Sequence, residues 1–422
     1  MKKTNFYVAA LLATMTTATS CSEDTDNNGS SNGLSQEQKS IVANYADKVV
    51  VARYSKLAND GKALLVAVKA IQSSTATDKT SLIKTAADAW KSARISWERT
   101  EAYLFGPVDK AGIDPGIDSW PLDLPELQKS IQKWDPTKDS YKTLATDGGD
   151  LKGFHAIEYM LFKNGSAKTN SVAAFDSEYS IDKGSLTDAQ FQAKLESYTV
   201  AVAEELYRCV LQLEAEWNKA GLSADKKADF TAFGKNITMN TPSGDYADIF
   251  KNPSLDNAYY NSFSQAVSEA FTGAVGIADE VANVKISDPI NAQVEDGTGL
   301  LEVESWFSYN SIADFTNNVR GIKEAYFGEL CTNEAQFDAD TTPAANSLGA
   351  LVAKADKAAG DKAVKALNDA IAKVSAMDGP FRDNLSWSAK NTAAKEAVAA
   401  VQAALEEAVT VIPDAEIIPE EE

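Results

Sequence analysis

Histidine is almost missing from this chain: there is one in 422 residues, His155. That scarcity removes every site built on two or three histidines of one chain, and any Ser-His-Asp triad, Cys-His pair or zinc site must use His155 or do without. Cysteine is nearly as rare, at 3, with no Cys-x-x-Cys among them. Basic residues are in deficit, 40 Lys and Arg against 61 Asp and Glu, for a formal net charge of −21. A field of that sign repels nucleic acid and anionic bilayer surfaces, because a duplex binder needs a cationic footprint to release counterions. Beyond the amino terminus no run reaches the ~18 uncharged apolar residues of a membrane span. Phosphate loops of Walker type, nucleophile elbows and the His-Glu-x-x-His pattern are absent as well. What is there is 44% hydrophobic residues with 7 Trp, 14 Tyr and 16 Phe, enough to pack real cores. At roughly 100–200 residues per domain the length suggests two folded units.

The amino terminus reads as an address. Lys2 and Lys3 precede an apolar stretch from Phe6 to Met15, and Ala18-Thr19-Ser20 leads into Cys21, the layout of a signal peptide over residues 1–20. Cysteine directly behind small residues resembles a bacterial lipoprotein signal, with Ala18 where such signals usually carry Leu. The resemblance implies that Cys21 is the lipidated first residue of the mature chain; the alternative is a free cysteine behind an ordinary cut. Residues 21–34, acidic and then rich in Ser, Asn and Gly, form a tether with nothing to bury. The acids behind Cys21 resemble the surface-export signal of Bacteroides-like lipoproteins, or serve only solubility. Localisation is therefore expected at the cell envelope, as an outer-membrane lipoprotein held through Cys21, facing the periplasm or the exterior.

From Leu34 onward helical periodicity dominates. Ile41, Tyr45, Val49 and Ala52 form a stripe that Leu64, Val68 and Ile71 continue. Further helices are expected over about Lys79–Phe105, Leu151–Phe162, Thr187–Ala220, Leu255–Asn283, Trp306–Phe327, Ser347–Met377 and Trp387–Val411. Pro107, Pro115, Pro121, Pro125 and Pro136 mark 106–149 as a long irregular excursion. No Asn-Gly or Asp-Gly pair sits convincingly between alternating apolar runs, so strands are not expected. The fold class is all-α, as two four-helix-bundle-like lobes over residues 35–245 and 246–412 with an acidic tail over 413–422. A faint echo between Thr100-Glu101-Ala102-Tyr103-Leu104-Phe105-Gly106 and Lys323-Glu324-Ala325-Tyr326-Phe327-Gly328 hints at duplication. Cys209 and Cys331 read as two buried thiols, or as one pair.

Chemistry concentrates in Gly153-Phe154-His155-Ala156-Ile157-Glu158-Tyr159-Met160-Leu161-Phe162, apolar nearly all round and hence buried. His155 and Glu158, at i and i+3, project from one face and can close on a common proton or ion. A buried Glu must be paired, hydrogen-bonded, protonated or metal-bound, so a purely structural His155–Glu158 or Arg–Glu158 bridge is the plainer reading. The pattern Gly153-x-His155-x-x-Glu158 resembles the signature motif of the imelysin family. Support comes from Trp97-Glu98-Arg99-Thr100-Glu101-Ala102-Tyr103-Leu104-Phe105-Gly106-Pro107 and from Ser305-Trp306-Phe307-Ser308-Tyr309-Asn310-Ser311-Ile312-Ala313-Asp314-Phe315. That family includes proteins named as insulin-cleaving peptidases and envelope proteins tied to iron uptake, and the resemblance implies a pair of helical bundles.

If His155 and Glu158 are metal ligands, the remaining protein ligands must be oxygen or sulfur. Such a set suits iron or manganese better than a closed zinc site, and a ferritin-like di-iron centre is excluded because it needs two Glu-x-x-His pairs. Glu98 and Glu101, at i and i+3, are candidate ligands beside Trp90, Arg94 and Trp97; Glu98 can instead bridge to Arg94. Asp114 and Asp118 are ordinary turn residues or donors arriving from the excursion. Glu304 and Asp314 are second-lobe contributors or capping residues. The leading expectation is a metal-binding envelope protein, iron before zinc, acting with a small ligand or an envelope transport partner. The rival is a zinc metallopeptidase in which His155 helps hold the metal and Glu158 is a ligand or the catalytic general base, and a third is a surface ligand-binding scaffold with a structural motif.

Overall fold

The structure, a computed structural model, describes residues 34–145, 147–169, 183–241 and 243–418. The signal segment, the tether up to Gly33, Cys21 itself, Pro242 and the last four residues of the tail lie outside the described residues. None of the described helices is long and apolar enough to cross a membrane.

The fold is all-α, as the periodicity predicts. The first helical run opens on a capping box, Ser35 accepting from Gln38 N while the Gln38 side chain returns to Ser35 N. It continues through a π-helical stretch, Asn44–Val51, into Ala52–Ser73. Each π turn adds a residue and rotates everything after it. The predicted stripe therefore holds at Ile41, Tyr45 and Val49 but passes from Ala52 to the buried Arg53 and Tyr54. Against this helix pack Thr80–Glu98 and the 31-residue Asp188–Asn218. The motif helix, Gly153–Leu161, lies against both of the latter. In the second half Phe263–Asp279, Ser311–Phe327, Lys357–Ser375 and Ala389–Thr410 pack on one another. The two halves meet where the turn Glu101–Tyr103 touches Phe263–Asp279 and Ser311–Phe327.

Five expectations change, the first being the helix expected from about Leu255, which starts at Phe263. The helix expected over Ser347–Met377 is two, Leu348–Ala355 and Lys357–Ser375, because Asp356 leaves helical geometry to cap the amides of Ala358 and Ala359. The helix expected from Trp306 begins at Ser311, and residues 305–309 form a turn with Ser305 and Tyr309 at positive φ. The excursion is not irregular throughout: it carries short helices at Pro107–Ala111, Asp114–Ile117, Leu124–Lys133 and Tyr141–Leu144, three of them with Pro in the first turn. Finally, a small hairpin pairs Phe162–Lys163 with Ser166–Ala167 across Asn164-Gly165, both at positive φ. Two residues per strand are too few for an alternating pattern to show.

Cys209 and Cys331 are separate buried thiols. The strongest tie across the halves is Arg53 to Glu324, both fully buried. Arg53 Nε reaches Glu324 Oε2 at 3.0 Å, the second guanidinium nitrogen closes on Oε1, and Cys331 N donates to Oε1 at 2.9 Å. Gly321 lets the Arg99 backbone pack against the same helix, since a Cβ there would stand 2.6 Å from the Arg99 carbonyl oxygen. Removing one partner of such a pair strands the other charge in the core. Glu324→Gln is expected to lower unfolding free energy by about 3–5 kcal/mol, read as a reduced urea midpoint at unchanged slope.

Candidate functional site

The motif glycine has a mechanical reason. Gly153 opens its helix at φ +77°, and a Cβ would lie 2.3 Å from the Ile117 carbonyl oxygen. Only glycine lets the motif helix come this close to the Asp114–Ile117 turn, and that closeness delivers Asp118 to His155.

His155 and Glu158 meet as their spacing predicts, Nδ1 to Oε2 at 3.0 Å. The other ring nitrogen faces Asp118 Oδ1 at 3.1 Å, so the imidazole is clamped between two carboxylates. Burial opposes its charge, but the carboxylates of Asp118 and Glu158, as acceptors, outweigh that and push the ring up to about 9. The ring is thereby held toward its charged form, hydrogen-bonded to Glu158 through Nδ1 and ion-paired with Asp118 through Nε2. Glu158 is engaged on both oxygens. Its Oε1 accepts from Phe307 N at 3.0 Å, Ser308 N at 2.8 Å and Ser308 Oγ at 2.6 Å. The turn at 305–309 thus exists to present amides to a carboxylate from the other half of the chain. The Trp120 ring closes over His155 with centroids 5.0 Å apart, its indole nitrogen bonded to the Leu301 carbonyl at 3.2 Å.

Asp118 leads inward to Arg94. Its Oδ1 pairs with the buried Arg94 guanidinium and its Oδ2 accepts from Trp97 Nε1 at 2.6 Å. Burial alone would raise this carboxyl, yet Arg94 and His155 hold it well below the ordinary carboxylate range. Arg94 also reaches Glu98 at 2.5 Å, Asp314 at 3.4 Å and Glu304 at 3.6 Å. Asp314, buried among these carboxylates, is raised to about 7 despite Arg94. Asp114 is also raised to about 7, by burial and by Asp118. Past Glu98, Asn318 Nδ2 donates to Glu98 Oε2 at 2.7 Å and to Glu101, and Glu101 is held well up by burial and by Glu98. The Lys285 ammonium closes the far end, 3.4 Å from Glu101 and 3.2 Å from Glu304.

One connected buried network therefore contains all four candidate ligands, but in two groups. His155 and Glu158 lie on the Asp118 side of Arg94, whereas Glu98 and Glu101 lie on the Asn318 side. Among the described residues no three His, Cys, Asp or Glu side chains stand, as found, disposed to hold a metal ion. Both nitrogens of His155 face carboxylates, so a metal ion ligated by this ring, zinc or iron, must first displace a proton. Asp118, Glu304 and Asp314 do enter the site, by way of Arg94. Sequence reading did not find Asn318, Ser308 or Lys285. Ser308 lies inside a stretch already singled out, but Asn318 and Lys285 sit in ordinary helical patterns with no signal of their own.

With this geometry in view, the comparisons identify the family. The model described as Imelysin, of the M75 peptidases, matches residues 50–412, and the chain belongs to that family. It is 27% identical over 289 residues to iron-regulated protein A of Synechococcus elongatus, covering 68% of this chain and 64% of that protein, less than two thirds of its length. A crystal structure described as an iron-regulated protein A precursor, from Parabacteroides distasonis, superposes with a TM-score of 0.70 at 27% identity over 89% of this chain and 95% of that one. An imelysin-like protein from Psychrobacter arcticum, at 12% identity over 91% and 98% of the two chains, shares the fold with a TM-score of 0.59.

The clamp around His155 has a pH signature. A histidine raised from 6.5 to about 9 contributes stability that is complete below about pH 6.5 and lost as pH rises through about 9. Unfolding free energy of the metal-free chain is expected to fall by about 3 kcal/mol from this group between pH 6.5 and 9.5. Urea titrations at the two pH values should show that drop, and His155→Gln should flatten it.

Proposed function

We propose that this protein binds iron in the cell envelope, tethered through a lipidated Cys21, and that the network around His155, Arg94 and Lys285 is where the ion is taken up. The observation that carries this reading is a charge imbalance. Among the described residues, Asp114, Asp118, Glu98, Glu101, Glu158 and Asp314, with the partly exposed Glu280 and Glu304, gather about the cations Arg94, Lys285 and His155. Carboxylates crowded out of water need positive charge from somewhere. Protons supply part of it at Glu101, Asp114 and Asp314, all raised by burial, and a metal cation is the other source.

Oxygen donors dominate the set, which favours a hard cation such as iron over zinc. The name iron-regulated protein A, carried by a relative and by a solved structure of similar sequence, points the same way. An arriving cation competes with the proton that His155 shares with Asp118, so uptake releases a proton and weakens as pH falls. Glu158 then holds the ring in place, and Glu98 supplies negative charge from the far side of Arg94. Hydrolysis draws no support from Glu158, since a general base needs a lone pair free for water and the oxygens here are taken by His155 and by the 307–308 turn.

Elemental analysis of the soluble domain, from about Leu34 and purified without chelator, is expected to find iron in stoichiometric amount and to lose it in His155→Ala. Neither protein taking up iron after loading would overturn the reading. For the anchor, Cys21→Ser in the full chain is expected to move the protein from the membrane fraction to the soluble one, read by fractionation of cells.

A further inference from the structure

The imidazole that an arriving ion must reach is sealed. His155 and Glu158 are fully buried, and the Asp118 side chain is 4% exposed. Against the His155 ring stands the edge of Trp120, with centroids 5.0 Å apart, and Trp120 leans in turn on Phe307 at 6.3 Å. Phe307 is buried, whereas Trp120 is partly exposed. The indole therefore has one side on the imidazole and another toward the outside.

Trp120 is also more lightly held than the other indoles of this site. Trp90 and Trp97 are fully buried and bond to the Phe154 carbonyl at 2.9 Å and to Asp118 at 2.6 Å. Trp120 reaches the Leu301 carbonyl at 3.2 Å, on a turn, Gly299–Glu302, whose Leu300 and Leu301 are 38% and 55% exposed. A hydrogen bond at such a surface can be traded for one with water at little net cost. The backbone on either side of Trp120 is fixed, in contrast. Asp118 is pinned by Arg94, Trp97 and His155, and Ser119 Oγ donates to the Pro115 carbonyl at 2.7 Å. Beyond the buried Leu122, Asp123 N donates to the Asp150 carbonyl at 3.2 Å and its side chain caps Glu126 N at 3.0 Å. The turn at 299–302 is seated as firmly, since a Cβ on Gly299 would stand 2.0 Å from the Pro289 carbonyl oxygen. What is free to move is the Trp120 side chain, and its one polar tie joins a loop of the first half to a turn of the second.

From these observations we infer that Trp120 is a gate over His155, latched to the Leu301 carbonyl, and that its indole swings outward to admit an ion to the imidazole. The inference deepens the reading of an iron-binding network and rests on it for the identity of what passes. Opening exchanges the N–H bond to Leu301 for one to water and gives up the ring contacts with His155 and Phe307. It leaves the clamp intact, because Asp118 and Glu158 are held by Arg94, Trp97 and the 307–308 turn rather than by Trp120. A local opening of this kind needs no unfolding of the helices around it. Closed, the indole keeps water from the ion pair and so strengthens it. The gate sets how fast an ion enters and leaves, while the carboxylates set how tightly it is held.

The test uses the single histidine of the chain. Acylation of the tag-free, metal-free protein by diethyl pyrocarbonate, followed as the histidine product and located by mass spectrometry, reports access to this one ring. In wild type the rate is expected to be measurable and flat in urea below the unfolding transition, because a side-chain swing exposes little new surface. Trp120→Phe keeps a ring but loses the N–H, and is expected to react about fivefold faster. Trp120→Ala is expected to react roughly tenfold faster or more. Each rate is corrected for the fraction of neutral ring, taken from its own pH dependence. A wild-type rate that climbs with urea as steeply as the unfolding equilibrium, or no reaction until the chain unfolds, would overturn the gate. A folded alanine variant that reacts no faster would do the same, and a phenylalanine variant that matches wild type would overturn the latch to Leu301. Should the alanine variant not fold, the wild-type and phenylalanine measurements decide. No metal enters the experiment, so a failed gate leaves iron binding standing, whereas a gate that opens in a protein taking up no iron upholds the gate and counts against the iron reading.

Discussion

The guanidinium of Arg94 is the constraint on which the site depends. Fully buried, it reaches Asp118 from the Pro-rich excursion, Glu98 from its own helix, Glu304 from the turn before residue 305 and Asp314 from the helix that follows. Four chain segments are gathered on one cation that cannot lose its proton. Remove it, and the carboxylates would face one another with only His155 and Lys285 between them. The position of His155 follows from this arrangement: Asp118 is held by Arg94 and Trp97, and the imidazole is held by Asp118. The motif helix supplies the ring, but the arginine decides where its partner stands.

Around that centre the two halves exchange charges. Glu101 of the first half is met by Lys285 of the second, and Glu324 of the second by Arg53 of the first. Each cation stands within or just after a π-helical stretch, Glu280–Ser287 or Asn44–Val51. The ties differ in kind. One is a bidentate lock without slack, and the other is a loose cage near partly exposed acids.

Much of the site could be read in advance. The spacing of His155 and Glu158 implied a shared partner, and the apolar residues around them implied burial; both hold. Glu98 and Arg94, one turn apart, pair as helical geometry requires. What could not be read is the company these residues keep. Asp118 stands in a Pro- and Asp-rich stretch where turn chemistry is the ordinary explanation, and nothing local distinguishes it from Asp114. Ser308 and the amide of Phe307 reach Glu158 only because Ser305 and Tyr309 take positive φ, which side-chain patterns do not announce. Lys285 looks like any lysine on an amphipathic helix until Glu101 is folded against it.

The sequence by itself determined the helical class, the burial of the motif and the limit set by a single histidine, because periodicity, hydrophobicity and composition are local properties. It also determined that Gly153 precedes His155 and Glu158, though not why. Tertiary structure decided the rest: the near approach of Ile117 that only glycine permits, the clamp that holds His155 toward its charged form, and the gathering of acids from both halves about Arg94 and Lys285. Those outcomes depend on long-range packing and on the balance between burying charge and pairing it. That balance is struck among residues far apart in the chain, and local pattern carries no record of it.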